Sequence, residues 1–173
     1  IYILGSLMTC GLALLIALPF SISAAIFISE ISPKTGSRFL QPTIEIFVGI
    51  PSVVYGWVGL TILVPFINEK LHAPMGGYSV LAAGIVLAIM IFPTITTVSA
   101  DALRAVPDSY RQAAYGLGST RWQLIYKVSV PAAKSGILTG IILGLSRAFG
   151  ETLAVAMVIG KTRVFPKGIL YPT

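Results

Sequence analysis

The chain has 173 residues, of which 55 % are hydrophobic and only 10 % charged, with a mean hydropathy of +0.90 and a formal net charge of +6. A soluble domain carries about 25 % charged residues, and a chain this short cannot wrap several wholly apolar helices in polar layers; a water-soluble globule is excluded. The basic balance would suit a nucleic acid, but the positive residues follow the pattern of membrane loops, so no nucleic-acid partner is expected and membrane lipid is.

The first uncharged run, Ile1 to Ser29, exceeds the roughly 20 residues a helix needs to cross hydrocarbon and predicts a span at about 3–29. It lacks a basic n-region and is too long for a signal peptide. Cys10, the single cysteine, lies inside it and offers no disulfide or metal framework. Lys34 and Arg38 follow. A second span is predicted at about 39–67, punctuated by Pro42, Gly49, Pro51, Gly56, Gly59 and Pro65. Proline removes a backbone donor and clashes with the preceding turn, so this helix should kink or break around Gly49–Gly56. Such breaks survive at membrane depth only inside protein or beside a water-filled cavity; packed core and pathway lining both fit. Glu45 sits near the start of this span, where Arg38 or a neighbouring subunit could pair with it. The loop beyond carries Glu69, Lys70 and His72, the only histidine, which reads as a solvated residue.

A third span at about 79–100 falls within the uncharged run Gly77–Ala100. The loop 101–135 then carries Arg104, Arg111, Arg121, Lys127 and Lys134, and a fourth span is predicted at about 136–160. Positive residues collect on the cytoplasmic side, which places 30–38 and 101–135 in the cytoplasm; the basic tail at Lys161, Arg163 and Lys167 runs against that bias. A start without Met and an end just after a span predict an internal fragment. The expected fold class is an all-α integral membrane protein, with one transmembrane domain over 1–173.

Within the fourth span, Gly136, Gly140 and Gly144 recur every fourth residue, and Ala148 continues the series. Such a stripe of small residues lets another helix approach closely. At about 100° per residue, Glu151 lies roughly 20° and Arg147 roughly 60° from Gly144, so both charges should face the protein interior.

The cytoplasmic loop reads as two short helices. Ser109 and Gln112 have capping-box spacing and predict a helix from about Tyr110. Gly116 and Gly118 should break it, and Thr120 can start a second helix ending before Pro131. Arg121, Trp122, Ile125 and Tyr126 could plug into a groove on a partner, where aromatic residues and arginine dominate binding. Alternatively, Trp122 could anchor the helix on lipid headgroups.

Residues 112–131 resemble the loop signature of ABC importer permeases, Glu-Ala-Ala-x3-Gly-x9-Ile-x-Leu-Pro. The chain has Gln112-Ala113-Ala114, Gly118 and Val128-Ser129-Val130-Pro131, with the spacing intact and three substitutions. Gln112 keeps a capping side chain but loses the charge an ATPase could pair with. GIPSVVYG at 49–56 and SRAFGETLAVAMVIG at 146–160 are similar to phosphate-specific transport permeases, PstC-type more than PstA-type. The resemblance implies a MetI-like helical bundle that pairs with a PstA-type subunit, two copies of a cytoplasmic ABC ATPase and an external phosphate-binding protein. It also implies a span after Thr173 and at least one before Ile1. ATPase coupling would fall to Ser109, Gln112, Ala113, Ala114, Gly118, Arg121, Trp122 and Pro131.

The function so implied is ATP-driven import of inorganic phosphate, with another oxyanion such as sulfate or molybdate as the alternative. A charge in a span is functional by default, and arginine's planar fork matches phosphate oxygens. Arg147 is therefore expected to contact phosphate transiently in the path. Glu151, one turn on, would compensate it at rest and accept a hydrogen bond from protonated phosphate. A buried ion pair that only fixes packing is the competing reading, although Arg before Glu is the less favourable helical order. No cofactor, metal site or catalytic motif of the H-E-x-x-H or G-x-S-x-G kind is present in the sequence, and Gly160-Lys161-Thr162 lacks the first glycine of a phosphate-binding loop. The chain reads as a transport subunit whose ATP is hydrolysed by a partner; an ion channel would leave the loop signature unexplained.

Overall fold

The computed structural model of the chain describes residues 2–71, 74–160 and 170–171, and every regular element among them is helical. His72 and the basic tail at Lys161, Arg163 and Lys167 lie outside the described residues. Helix α1, Tyr2–Ile26, passes through Pro19 and continues in a π-helical turn, Phe27–Ile31. Serine and threonine hydroxyls keep it satisfied internally: Thr9 donates to the Gly5 carbonyl at 2.8 Å and Ser29 to the Ala25 carbonyl at 2.8 Å. After a second π-helical turn, Gly36–Leu40, come α2, Gln41–Gly49, and α3, Ser52–Val58. A π-helical turn at Gly59–Leu63 leads on to α4, Val64–Leu71. Helix α5 runs Val80–Arg104 through Pro93.

The remaining elements are α6, Asp108–Gly116, α7, Arg121–Leu124, a π-helical turn at Ile125–Ser129, α8, Lys134–Gly150, and α9, Leu153–Val158. Among the described residues, three helical runs are long and apolar enough to cross a membrane: Ile3–Ile31, Ser52–Lys70 and Val80–Arg104. A fourth is added if Arg121–Ala132 and Lys134–Gly150, bent by 67°, count as one span. In the most apolar stretch of each run, 67 % of the residues holding α5 are buried, against 28 % and 22 % for the other two.

Two predicted spans need correction. The one placed at 39–67 is cut at Ile50–Pro51, where Pro51 adopts φ −58°, ψ 137° and starts α3 afresh; only the part from Ser52 is a candidate span. The break falls within the predicted Gly49–Gly56. The one placed at 136–160 stops at Gly150, leaves Glu151 and Thr152 outside helix and restarts at Leu153.

The chain divides into two compact units: Ile1–Ala17, Gly49–Ile91 and Leu145–Thr173 form one, Leu18–Val48 and Phe92–Gly144 the other. In the first, Val64, Ile67, Val86 and Met90 pack with Ala154 and Val158. Here the absence of a side chain at Gly56 is required. A Cβ would stand 2.8 Å from Met157 Sδ and 2.9 Å from Ala154 Cα, so α3 and α9 meet almost backbone to backbone. In the second unit Ala25, Ile28, Ala100, Leu103, Val106, Ala133 and Ile137 form the core. The glycine stripe of α8 is used as predicted: Gly136 sits on Ala102, and a Cβ on Gly140 would reach Ser99, Val98 and Ile95 at 3.2–3.4 Å. Gly144 and Ala148 continue it, buried.

Candidate functional site

The loop 101–135 begins at the end of α5 and folds as the predicted pair of short helices, though with different caps. Helix α6 is led by Pro107, φ −59°, ψ 141°, with no side-chain cap. Its first turn carries Asp108, favoured by the positive end of the helix dipole. That start puts Ser109 inside the first turn, where its hydroxyl cannot cap, so the box predicted from Ser109 and Gln112 does not form; both are exposed. The capping box lies at Thr120 and Gln123 instead. The Gln123 amide donates to Thr120 Oγ1 at 3.4 Å, and the Thr120 amide donates to Gln123 Oε1 at 2.9 Å. Between the helices Gly118 takes φ +76°, a conformation costly for residues with a Cβ, and Ser119 donates to the Ala114 carbonyl at 2.7 Å to close the turn. The run from α7 does not end before Pro131. It passes over that proline and reaches Ala132 in one continuous run, Arg121–Ala132.

Between α6 and the run from α7 lies a groove of about 450 Å³, lined by Tyr110, Ala113, Ala114, Leu117, Gly118, Gln123, Lys127 and Val128 among others. It holds Ala113, Ala114 and Gly118 of the loop signature. Leu117 (89 %), Tyr126 (79 %) and Trp122 (70 %) are exposed to a degree unusual for such side chains; Pro131 is exposed and Ala114 buried.

Arg121, expected to face a partner, is occupied inside the chain: its Nη2 donates to the carbonyls of Glu30 at 2.6 Å and Ile31 at 2.7 Å. Arg111 Nη2 lies 2.9 Å from Glu30 Oε1, with side chains 19 % and 6 % exposed. The same guanidinium donates to the carbonyls of Val106 at 2.6 Å and Leu103 at 2.9 Å, and to Asp108 Oδ1 at 3.1 Å. The hydrogen bond to Glu30 is the largest influence on the guanidinium and holds its pKa above the ordinary value. A raised folded-state value means this contribution is complete at neutral pH and is lost only on strongly alkaline titration. Sequence reasoning missed Glu30. The available signal was a single acid at the end of an uncharged run, opposite a loop with five basic residues. Glu45 is held by Gln41 Nε2 at 2.9 Å, Gln41 Oε1 accepts from Arg104 at 2.6 Å, and Arg38 lies 5.6 Å over the Phe39 ring.

The charges predicted for the membrane path fall in the other unit. Arg147 is half-buried on the last turn of α8, in the same compact unit as α3 and α9. Glu151 is not one helical turn further along: α8 has ended at Gly150, so the wheel angle predicted for Glu151 does not apply. Its amide still bonds to the Ala148 carbonyl at 3.3 Å, and Oε1 accepts from the Ala154 amide at 3.5 Å, at the start of α9. The two segments read as PstC-like, 49–56 and 146–160, thus meet where α3 packs on α9. No group of three or more potential metal ligands occurs among the described residues.

Broken membrane helices around a glycine-packed seam, with a cytoplasmic-type loop carrying the signature spacing, define a transport permease. Residues 12–170 match the family of binding-protein-dependent transport system inner membrane components, and the chain belongs to that family as a multi-pass membrane protein. A probable ABC transporter permease protein of Bacillus subtilis, YqgH, is 55 % identical over 166 residues, covering 96 % of this chain and 53 % of that protein. Phosphate transport system permease proteins PstC are 41 % identical in Pasteurella multocida (99 % of this chain, 59 % of that protein) and 37 % in Haemophilus influenzae (99 % and 60 %). The chain therefore spans between half and two thirds of the length of these relatives.

Proposed function

We propose that residues 1–173 are part of one permease domain of an ATP-driven importer that brings inorganic phosphate into the cell. The observation that carries this reading is the likeness to PstC proteins over nearly the whole chain, together with an arginine at a membrane helix end inside the most PstC-like segment. Loops 30–38 and 101–135 face the cytoplasm. There the groove beside Ala113, Ala114 and Gly118, flanked by Trp122 and Tyr126, receives one of two ABC ATPase subunits, which hydrolyse the ATP. Exposed aromatics beside a groove are the side chains that dominate docking energy. A PstA-type subunit completes the pathway and an external phosphate-binding protein delivers the anion.

Arg147 supplies a bidentate contact to phosphate oxygens in transit. Glu151, at the helix break four residues on, is the carboxylate that a protonated phosphate can donate to. Uptake by vesicles holding the full-length assembly tests the reading, with sulfate as control anion. Phosphate uptake by wild type, at least about tenfold lower in Arg147→Ala and Arg147→Lys with assembly intact, is expected; one lost charged bidentate contact reaches that size. Unchanged uptake in both variants removes Arg147 from the path, and sulfate uptake by wild type overturns the substrate.

A further inference from the structure

We propose that Glu30, Arg111 and Arg121 form a lock that fixes the docking loop to the end of α1, so that a push on the loop carries the first membrane helix with it. Arg111 joins three stretches of chain at once through one planar group: the Glu30 carboxylate at the end of the first helical run, the Leu103 and Val106 carbonyls at the end of α5, and Asp108 at the start of α6. An exposed ion pair tethers loosely because its geometry wanders and water screens it. This one is largely buried and charge-assisted at 2.9 Å, with the remaining donors aimed at backbone carbonyls, and so fixes direction as well as distance.

Arg121 adds an independent fastening. The last carbonyls of a helix have no partner within it, and here two of them, on Glu30 and Ile31, accept from Arg121. A cation at that end also meets the negative pole of the helix. The first helical run is thereby bonded to α6 through its side chain and to α7 through its backbone. These are the two helices that bear the proposed ATPase groove, and none of Glu30, Arg111 and Arg121 lines it. The three residues are positioning residues for coupling and touch no substrate.

The force-transmitting role rests on the importer reading above, whereas the rigidity of the lock does not, so the test has two arms. In the full-length protein with Cys10→Ala, spin labels at Lys34→Cys and Tyr115→Cys, both exposed, report the distance from the end of α1 to α6. A single narrow distribution is expected, broadening in Glu30→Gln and in Arg111→Lys; equal widths overturn the lock. In proteoliposomes with the assembled ATPase, the expected result is phosphate moved per ATP hydrolysed falling about 2- to 30-fold in both variants, the span seen for residues that carry coupling, while hydrolysis persists. Transport and hydrolysis falling together, neither changing, or failure of both variants to assemble each overturn it, because the cluster is then a folding element. Wild-type assemblies that move no phosphate sink the importer reading alone, and the distance arm still decides the lock.

Discussion

Arg111 and Arg147 are both half-buried arginines at the edge of a helix, and each has a glutamate that looks like its partner from some point of view. For Arg147 the sequence offers Glu151 four positions on; for Arg111 it offers nothing closer than Asp108. The structure pairs Arg111 with Glu30, 81 positions away, and places Glu151 beyond the end of the helix that was to bring it round. Sequence spacing makes neighbours only while the backbone between them stays helical. Gly150 ends that condition, and the mostly buried Glu30 carboxylate reaches Arg111 through tertiary packing.

Removing Glu30 should have the largest effect. Glu30→Ala strands a mostly buried guanidinium, and the full-length protein should lose about 3 kcal/mol against denaturant; a loss as large in Glu151→Ala would erase the contrast between the two sites. Next comes Gly56→Ala, where a methyl meets the backbone of Ala154 and should cost about 1–3 kcal/mol. Gly49→Ala has no neighbouring atom within 4 Å and should be near neutral in the same assay, which would tie the cost to the α3–α9 seam rather than to the helix break. Thr120→Ala should lose about 1 kcal/mol with its capping box, and Ser109→Ala nothing measurable; helical content of the loop by hydrogen exchange at residues 110–116 and 121–125 separates them. Smallest is Glu151→Gln, about 0.5 kcal/mol or less, since its carboxylate holds one amide at 3.5 Å.

Much of the fold was legible because it is written in composition and small residues. The uncharged runs mark two spans, the prolines and glycines of 49–56 mark the broken one, and the close helix approach predicted from the glycine stripe is seen at Gly136 and Gly140, which meet α5. Local chemistry was read less well. Ser109-x-x-Gln112 and Thr120-x-x-Gln123 share the capping pattern, and Pro107 decides between them by fixing where α6 begins. The end of α8 at Gly150 was hidden because glycine in a membrane helix normally signals packing, as it does at Gly136. Of the candidate site, Ala113, Ala114 and Gly118 were read from the signature and line the groove, but Arg121's engagement with Glu30 and Ile31 depends on contacts across some 90 residues that no window of sequence contains.

The uncovered side of the loop also bears on how long such a chain survives when made alone. Leu117, Trp122 and Tyr126 are largely exposed, and Leu117 lines the groove together with Ala113, Ala114 and Gly118. If the docking proposed above is what covers this surface, a copy made alone keeps it open to aggregation and proteolysis and a docked copy does not.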